Sequence, residues 1–95
     1  LYLLVAGMLE VTDLWKVYRS KAGDYIALRG VSFTVEDGDF IAVVGPSDSG
    51  KTTLLNLLGA LDTPTCGDIV LDVMSYSSVG ASGLADLRKR LKFVL

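Results

Sequence analysis

The densest chemistry in this chain lies in one octapeptide, Gly45-Pro46-Ser47-Asp48-Ser49-Gly50-Lys51-Thr52. It satisfies the pattern GxxxxGK[ST], which a chain of 95 residues matches by chance with a probability of roughly 1 in 300. Two glycines let the backbone curl until successive N–H groups converge on one anion. A helix opening at Gly50-Lys51 adds amides that have no intrahelical partner, together with the positive end of its dipole. Lys51 brings a point charge to the β- and γ-phosphates of a nucleoside triphosphate, and the Thr52 hydroxyl is a hard oxygen suited to Mg²⁺. A glycine-rich strand-to-helix turn with a surface lysine would have the same composition. The flanks speak against that plainer reading, because the motif sits between an apolar run and an amphipathic segment, where a phosphate cradle requires it.

Those flanks are Phe40-Ile41-Ala42-Val43-Val44 and the stretch from Lys51 to about Leu61. The first is unbroken in apolarity, as for a strand covered on both faces in a parallel sheet. The second carries leucines at 54, 55, 58 and 61, one stripe of a helix that Pro64, Cys66 and Gly67 would end. Upstream the pattern is β. Leu9, Val11 and Asp13 alternate weakly with Glu10, Thr12 and Leu14, in a strand heading for Val17-Tyr18. A polar loop over 19–24 follows, then a short strand from Tyr25 to Leu28. Val31, Phe33 and Val35 next alternate cleanly with Ser32, Thr34 and Glu36. Asp37-Gly38 is a dipeptide that tight hairpins favour. Downstream, Ile69 to Asp72 reads as a strand and Ser75 to Ser82 as a loop. Leu84, Leu87 and Leu91 mark a second helix with Ser82 as candidate N-cap, and Phe93-Val94-Leu95 begins another buried strand. The expected fold class is α/β, with an antiparallel β subdomain beside the first parallel strand and phosphate-loop helix of a P-loop core.

Composition removes several alternatives. With a net charge of −2 there is no global basic field to recruit nucleic acid. The cluster Arg88, Lys89, Arg90 and Lys92 reads as a solvated helix face. One cysteine, Cys66, excludes an internal disulfide, and the absence of histidine leaves no plausible zinc site and no Ser-His or Cys-His pair. Chemistry must come from carboxylates, hydroxyls, a lysine or the backbone. Leu1 to Met8 is apolar apart from one tyrosine, too short for a bilayer span of about 20 residues and without the features of a signal peptide. Met8-Leu9-Glu10-Val11 looks like a start, so residues 1–8 are expected as a non-native or disordered extension, and the chain as cytoplasmic.

About thirty residues of β pattern precede the motif's strand, whereas simple kinases and GTPases begin with that strand. Gly30-Val31-Ser32-Phe33, the run from Asp37 to Ser47, Thr53-Leu54-Leu55-Asn56 and Pro64-Thr65-Cys66-Gly67-Asp68-Ile69 together resemble the nucleotide-binding domain of ABC transporters. Residues 9–95 would then be the N-terminal part of such a domain, stopping before its Q-loop. Leu58-Gly59-Ala60-Leu61-Asp62, and Leu87-Arg88-Lys89-Arg90 before Phe93-Val94, are similar to the branch holding lipoprotein-releasing and macrolide-export ATPases. The resemblance implies ATP and Mg²⁺ as ligands. It implies a binding set of Tyr18, Gly45, Pro46, Ser47, Asp48, Ser49, Gly50, Lys51, Thr52 and Thr53, with Lys51 serving catalysis and Thr52 the metal. Tyr18 falls where the family stacks adenine on an aromatic ring, a contact worth about 1–3 kcal/mol. Plain packing is the competing reading for Tyr18 and the expected one for Trp15 and Tyr25. The implied partners are a membrane permease and a second ATP-binding domain in a homodimer, with no nucleic acid, at the cytoplasmic face of the membrane.

The chain departs from the family's pattern in places. Asp48 and Val73 stand where glycine is expected, and Cys66 where serine is usual. The family's water-placing glutamine, signature motif, Walker B aspartate, catalytic glutamate and switch histidine are not among these residues. ATP binding without efficient hydrolysis is therefore expected. The alternatives are a non-hydrolysing truncated nucleotide-binding fragment, a non-transport ABC ATPase of the cell-division or DNA-repair kind, and a small-molecule kinase. The β-rich residues 9–40 count against the last.

Overall fold

The computed structural model describes residues 2–42 and 50–94. Val43, Val44 and residues 45–49 of the phosphate loop lie outside the described residues. In chain order the elements are β1 (Tyr2–Val5), β2 (Leu9–Tyr18), β3 (Tyr25–Val35), β4 (Phe40–Ala42), α1 (Lys51–Leu58), β5 (Cys66–Leu71), β6 (Met74–Ser75), α2 (Ala81–Lys89) and β7 (Leu91–Val94). The strands form a four-stranded sheet, β3-β2-β5-β6, and a three-stranded sheet, β4-β1-β7, with every pairing antiparallel.

The first eight residues differ most from expectation. Tyr2–Val5, expected within a disordered or non-native extension, is the central strand of the smaller sheet. Its run is of strand length, and Leu3 and Val5, two apart and so on one face, are both fully buried. The chain beyond it is tied down too. The Ala6 N–H donates to the Arg90 carbonyl at 2.8 Å and the Gly7 N–H to Asp37 Oδ1 at 2.8 Å. Strand β1 runs against both neighbours, so β4 and β7 point the same way with β1 between them. The parallel direction expected of Phe40–Ala42 is thus present, but its hydrogen-bonded neighbour is antiparallel. Nor is Asp37-Gly38 a hairpin. It forms a turn, with the Asp39 N–H on the Glu36 carbonyl at 3.0 Å, that carries the chain from one sheet to the other.

In β2 the alternation changes phase. Leu9, Val11 and Leu14 are all buried, three positions that strict period two cannot place on one face. A bulge resolves this: Asp13 adopts φ +46°, and pairing with both neighbours shifts register after residue 11 or 12. The neighbouring strand accommodates the bulge through Gly67, at φ +90°. A Cβ there would lie 2.2 Å from the Asp13 carbonyl oxygen, so no other residue fits. The segments Tyr25 to Leu28 and Val31 to Val35, read separately from sequence, are one strand.

Both helices end differently from expectation. Helix α1 stops at Leu58 because Ala60 turns left-handed, φ +58°. The Ala60 N–H then reaches the Leu57 carbonyl at 3.1 Å and the Leu61 N–H the Asn56 carbonyl at 2.8 Å, the two bonds of a Schellman motif. Its buried leucines are 57 and 58, while Leu61 is 74% exposed beyond the motif. In α2 the N-cap is Gly80, not Ser82, which lies inside the helix, and no side chain caps it. One buried cluster unites the two sheets and two helices, with Leu3, Leu14, Leu57, Leu58, Leu71 and Leu87 among its fully buried members.

Candidate functional site

The described part of the phosphate motif is Gly50 and the first turn of α1. Gly50 is the N-cap, at φ +87° and ψ 3°, a left-handed conformation that strains any other residue. It is also pressed against the larger sheet. A Cβ at this position would come 2.5 Å from the Ala27 carbonyl oxygen. The cap thereby fixes where the helix starts relative to β3. The Leu54 N–H donates to the Gly50 carbonyl at 2.9 Å, which puts Lys51, Thr52 and Thr53 in the first turn, at the positive end of the helix dipole. Among the described residues no side chain caps this end, and the first turn carries no acidic residue. An N-terminus left in this state suits an incoming anion. Thr52 is exposed, with Lys51 and Thr53 half-buried. Gly45, Pro46, Ser47, Asp48 and Ser49 belong to the same expected site but lie outside the described residues.

The far end of α1 is held by groups the sequence did not single out. The C-terminal carbonyls of a helix carry partial negative charge, and α1 has no basic residue in its own last turn. Arg88 of α2 supplies one. Its Nε donates to the Gly59 carbonyl at 2.9 Å and its Nη2 to the Ala60 carbonyl at 2.7 Å. The Tyr76 hydroxyl donates to the Leu58 carbonyl at 2.7 Å, and burial pushes this phenol up to about 12. The basic cluster read as one solvated face is therefore split three ways. Arg88 caps α1, Arg90 pairs with Asp72, and Lys89 makes an exposed pair with Asp86 at 3.8 Å.

Tyr18 closes β2 opposite Tyr25. Tyr25 is two residues, about 7 Å along β3, from the Ala27 carbonyl that abuts Gly50. The fold thus brings the end of β2 toward the start of α1. Tyr18 is 40% exposed, and its ring is engaged by two other groups. Its hydroxyl donates to Asp62 Oδ2 at 3.3 Å, and Lys16 Nζ stands 5.2 Å from its centroid. Lys16, with only 14% of its side chain exposed, also donates to Asp62 Oδ1 at 3.2 Å and the Thr63 carbonyl at 2.7 Å. Hydrogen bonding from the Thr63 N–H, with Lys16 and Tyr18 adding to it, holds the Asp62 carboxyl below its ordinary range despite partial desolvation. Of the other aromatics, Trp15 is half-buried with its Nε1 on Asp13 Oδ1 at 3.1 Å, and Tyr25 is exposed.

A glycine-capped helix opened by Lys-Thr and leaned against an antiparallel sheet defines a fragment of the P-loop NTPase fold. The sequence profile of the ABC transporter family matches residues 28–95, and the chain belongs to that family. It is 44% identical over 91 residues to the ABC transporter ATP-binding protein YxdL of Bacillus subtilis, which covers 95% of this chain and 35% of YxdL. Over 82 residues it is 44% identical to the macrolide export ATP-binding/permease protein MacB of Hyphomonas neptunium, covering 86% of this chain and 13% of that one. Among solved structures, the ATP-binding cassette MJ0796, as a dimer in a post-hydrolysis state with ADP and Pi, matches with a TM-score of 0.76 at 31% identity. That match covers 85% of this chain and 35% of MJ0796. The chain thus spans about a third of the length of YxdL and of MJ0796.

Proposed function

We propose that this chain is the N-terminal part of the ATP-binding subunit of an ABC transporter, and that residues 45–52 bind the phosphates of ATP. The observation that carries the reading is the start of α1: a helix N-terminus opened by Gly50-Lys51-Thr52, with no side-chain cap among the described residues, and pinned to β3 through Gly50. Lys51 neutralises charge on the β- and γ-phosphates, and Thr53 adds a first-turn amide. Thr52 fits Mg²⁺, which takes one or two protein oxygens and completes its shell with phosphate and water. In this reading the adenine stacks on Tyr18, at the position where the family it resembles carries an aromatic ring. Lys51 and Thr52 position phosphate and metal but neither orients nor deprotonates a water, so these residues serve binding rather than hydrolysis.

In the longer protein the subunit pairs with a second ATP-binding domain and drives a membrane permease from the cytoplasmic face, in export or lipoprotein release. The identity to MacB and the dimeric form of MJ0796 support this reading. Among the described residues no helix is long and apolar enough to cross a membrane.

Titrating ATP into the chain and into Lys51→Ala tests the proposal. A loss of tenfold or more in affinity is expected, from removing a charge-assisted contact of about 1.5–3 kcal/mol; equal affinities would sink it. Asp48 adds like charge near the phosphates, so Asp48→Gly should bind ATP more tightly, by about 1–4 kcal/mol at 4 Å depending on the effective dielectric.

A further inference from the structure

The strongest unassigned arrangement is the one around Tyr18. Lys16 and Tyr18 are two residues apart on β2, and both reach Asp62, which lies just past the Schellman turn that ends α1. The two carboxylate oxygens are divided between them, Oδ1 to Lys16 and Oδ2 to the Tyr18 hydroxyl. The ammonium is also positioned against the face of the Tyr18 ring, 5.2 Å from its centroid. The ring is therefore fixed at its hydroxyl by Asp62 and on one face by Lys16, while the residue keeps 40% exposure. Two hydrogen bonds through Thr65 lock the same loop to β2: the Val17 N–H donates to Thr65 Oγ1 at 2.9 Å and the Thr65 N–H to the Trp15 carbonyl at 2.9 Å.

We infer that the Lys16–Asp62 pair is a positioning device for the nucleobase: it occupies one face of the Tyr18 ring and orients the other as the platform on which the base stacks. The inference rests on the reading that Tyr18 receives the base. Lys16 is then a positioning residue that touches Tyr18 and not the nucleotide. Immobilising the ring before the ligand arrives lowers the ordering cost of binding, so the pair should matter for ligands with a base and not for phosphate alone. It also couples the two halves of the site, because Asp62 lies just past the Schellman turn of the helix whose other end opens the proposed phosphate cradle.

The test compares ATP with inorganic tripolyphosphate, which presents the same phosphate chemistry without a base, by calorimetric titration of the chain and its variants. Lys16→Met keeps the aliphatic stem and removes the ammonium. It should weaken ATP about three- to tenfold, equivalent to about 0.7–1.4 kcal/mol, while tripolyphosphate affinity stays within about twofold. Lys16→Arg should restore ATP binding, and Asp62→Asn should reproduce the selective loss. Unchanged tripolyphosphate binding serves as the control for folding. Equal weakening of both ligands by Lys16→Met would overturn the inference, as would no effect on either. Tyr18→Ala separates it from the reading beneath. If Tyr18→Ala weakens ATP selectively and Lys16→Met does not, the positioning role alone falls. If Tyr18→Ala leaves the ratio of ATP to tripolyphosphate affinity unchanged, base stacking on Tyr18 falls, and the inference with it.

Discussion

Replacing Gly50 by alanine should damage the chain in a way that a second glycine can calibrate. Two costs arise at position 50. Holding a Cβ at φ +87° costs about 1–2 kcal/mol. The Cβ would also lie 2.5 Å from the Ala27 carbonyl oxygen, a backbone atom that no side-chain rotation can move. Reaching a tolerable contact means displacing α1 from β3 by half an ångström or more, and overpacking of this kind costs about 1–3 kcal/mol. Gly38 has a similar φ, +79°, yet a Cβ there would meet nothing within 4 Å. Gly38→Ala therefore incurs only the conformational cost. Urea denaturation should show Gly38→Ala destabilised by about 1–2 kcal/mol and Gly50→Ala by about 2–5 kcal/mol. Titration with ATP should show a loss of tenfold or more for Gly50→Ala alone, because its displacement moves the amides of Lys51, Thr52 and Thr53. Should Gly50→Ala cost no more than Gly38→Ala, the close approach to Ala27 plays no part and the account of how α1 is seated is wrong.

The other predictions concern the supports of the site. Arg88→Met removes two charge-assisted bonds from the carbonyls past α1 and should cost about 1.5–3 kcal/mol in denaturant unfolding; a cost below about 0.5 kcal/mol would show that the carbonyls are served equally by solvent. Ala60 holds φ +58° with a Cβ, so Ala60→Gly should stabilise the chain by about 0.5–1 kcal/mol, a gain that a melting curve would reveal. Leu3→Ala should lose about 2–4 kcal/mol, since Leu3 is fully buried in β1; hydrogen exchange as fast in residues 2–5 as in a free peptide would refute that role. Tyr76 has a folded-state value raised from 10.0 to about 12. Its contribution should be complete below pH 10 and decline as pH rises toward 12, and the stability difference between the chain and Tyr76→Phe should narrow over that window.

The features that were legible in the sequence are local. The GxxxxGK[ST] pattern needs only eight consecutive residues, and Val31, Phe33 and Val35 betray their strand by period two alone. Leu14 shows where such reading ends. Strict alternation puts it on the solvent side of its strand; the bulge at Asp13 that breaks the alternation depends on Gly67 of another strand leaving room for it. The end of α1 differs from its sequence pattern for a related reason: Pro64 and Gly67 are stronger breakers than Ala60, which turns left-handed without the help of a glycine. The apolar run at residues 2–5 was legible as apolar but not as a strand, since both of its partners, β4 and β7, are distant in sequence. Arg88, Lys16 and Asp62 could not be found from spacing, because each acts across a gap of nearly 30 residues or more.

An eight-residue helix in water does not persist alone, because a nucleus that short recovers too few hydrogen bonds for the dihedrals it fixes. Helix α1 must therefore be held by its surroundings, and the two ends are held by different parts of the chain. Gly50 sets the N-terminus against β3, while Arg88 and Tyr76, from α2 and the loop before it, hold the C-terminus. The three amides of the first turn, which the proposed function assigns to phosphate, are thus arranged by residues as far apart as Ala27 and Arg88. A substitution at Arg88, which need not lie near any phosphate, should loosen the far end of the helix and thereby weaken tripolyphosphate binding, whereas Lys16→Met should spare it. Opposite results for these two variants would mean that the supports of the phosphate half and the base half have been assigned the wrong way round.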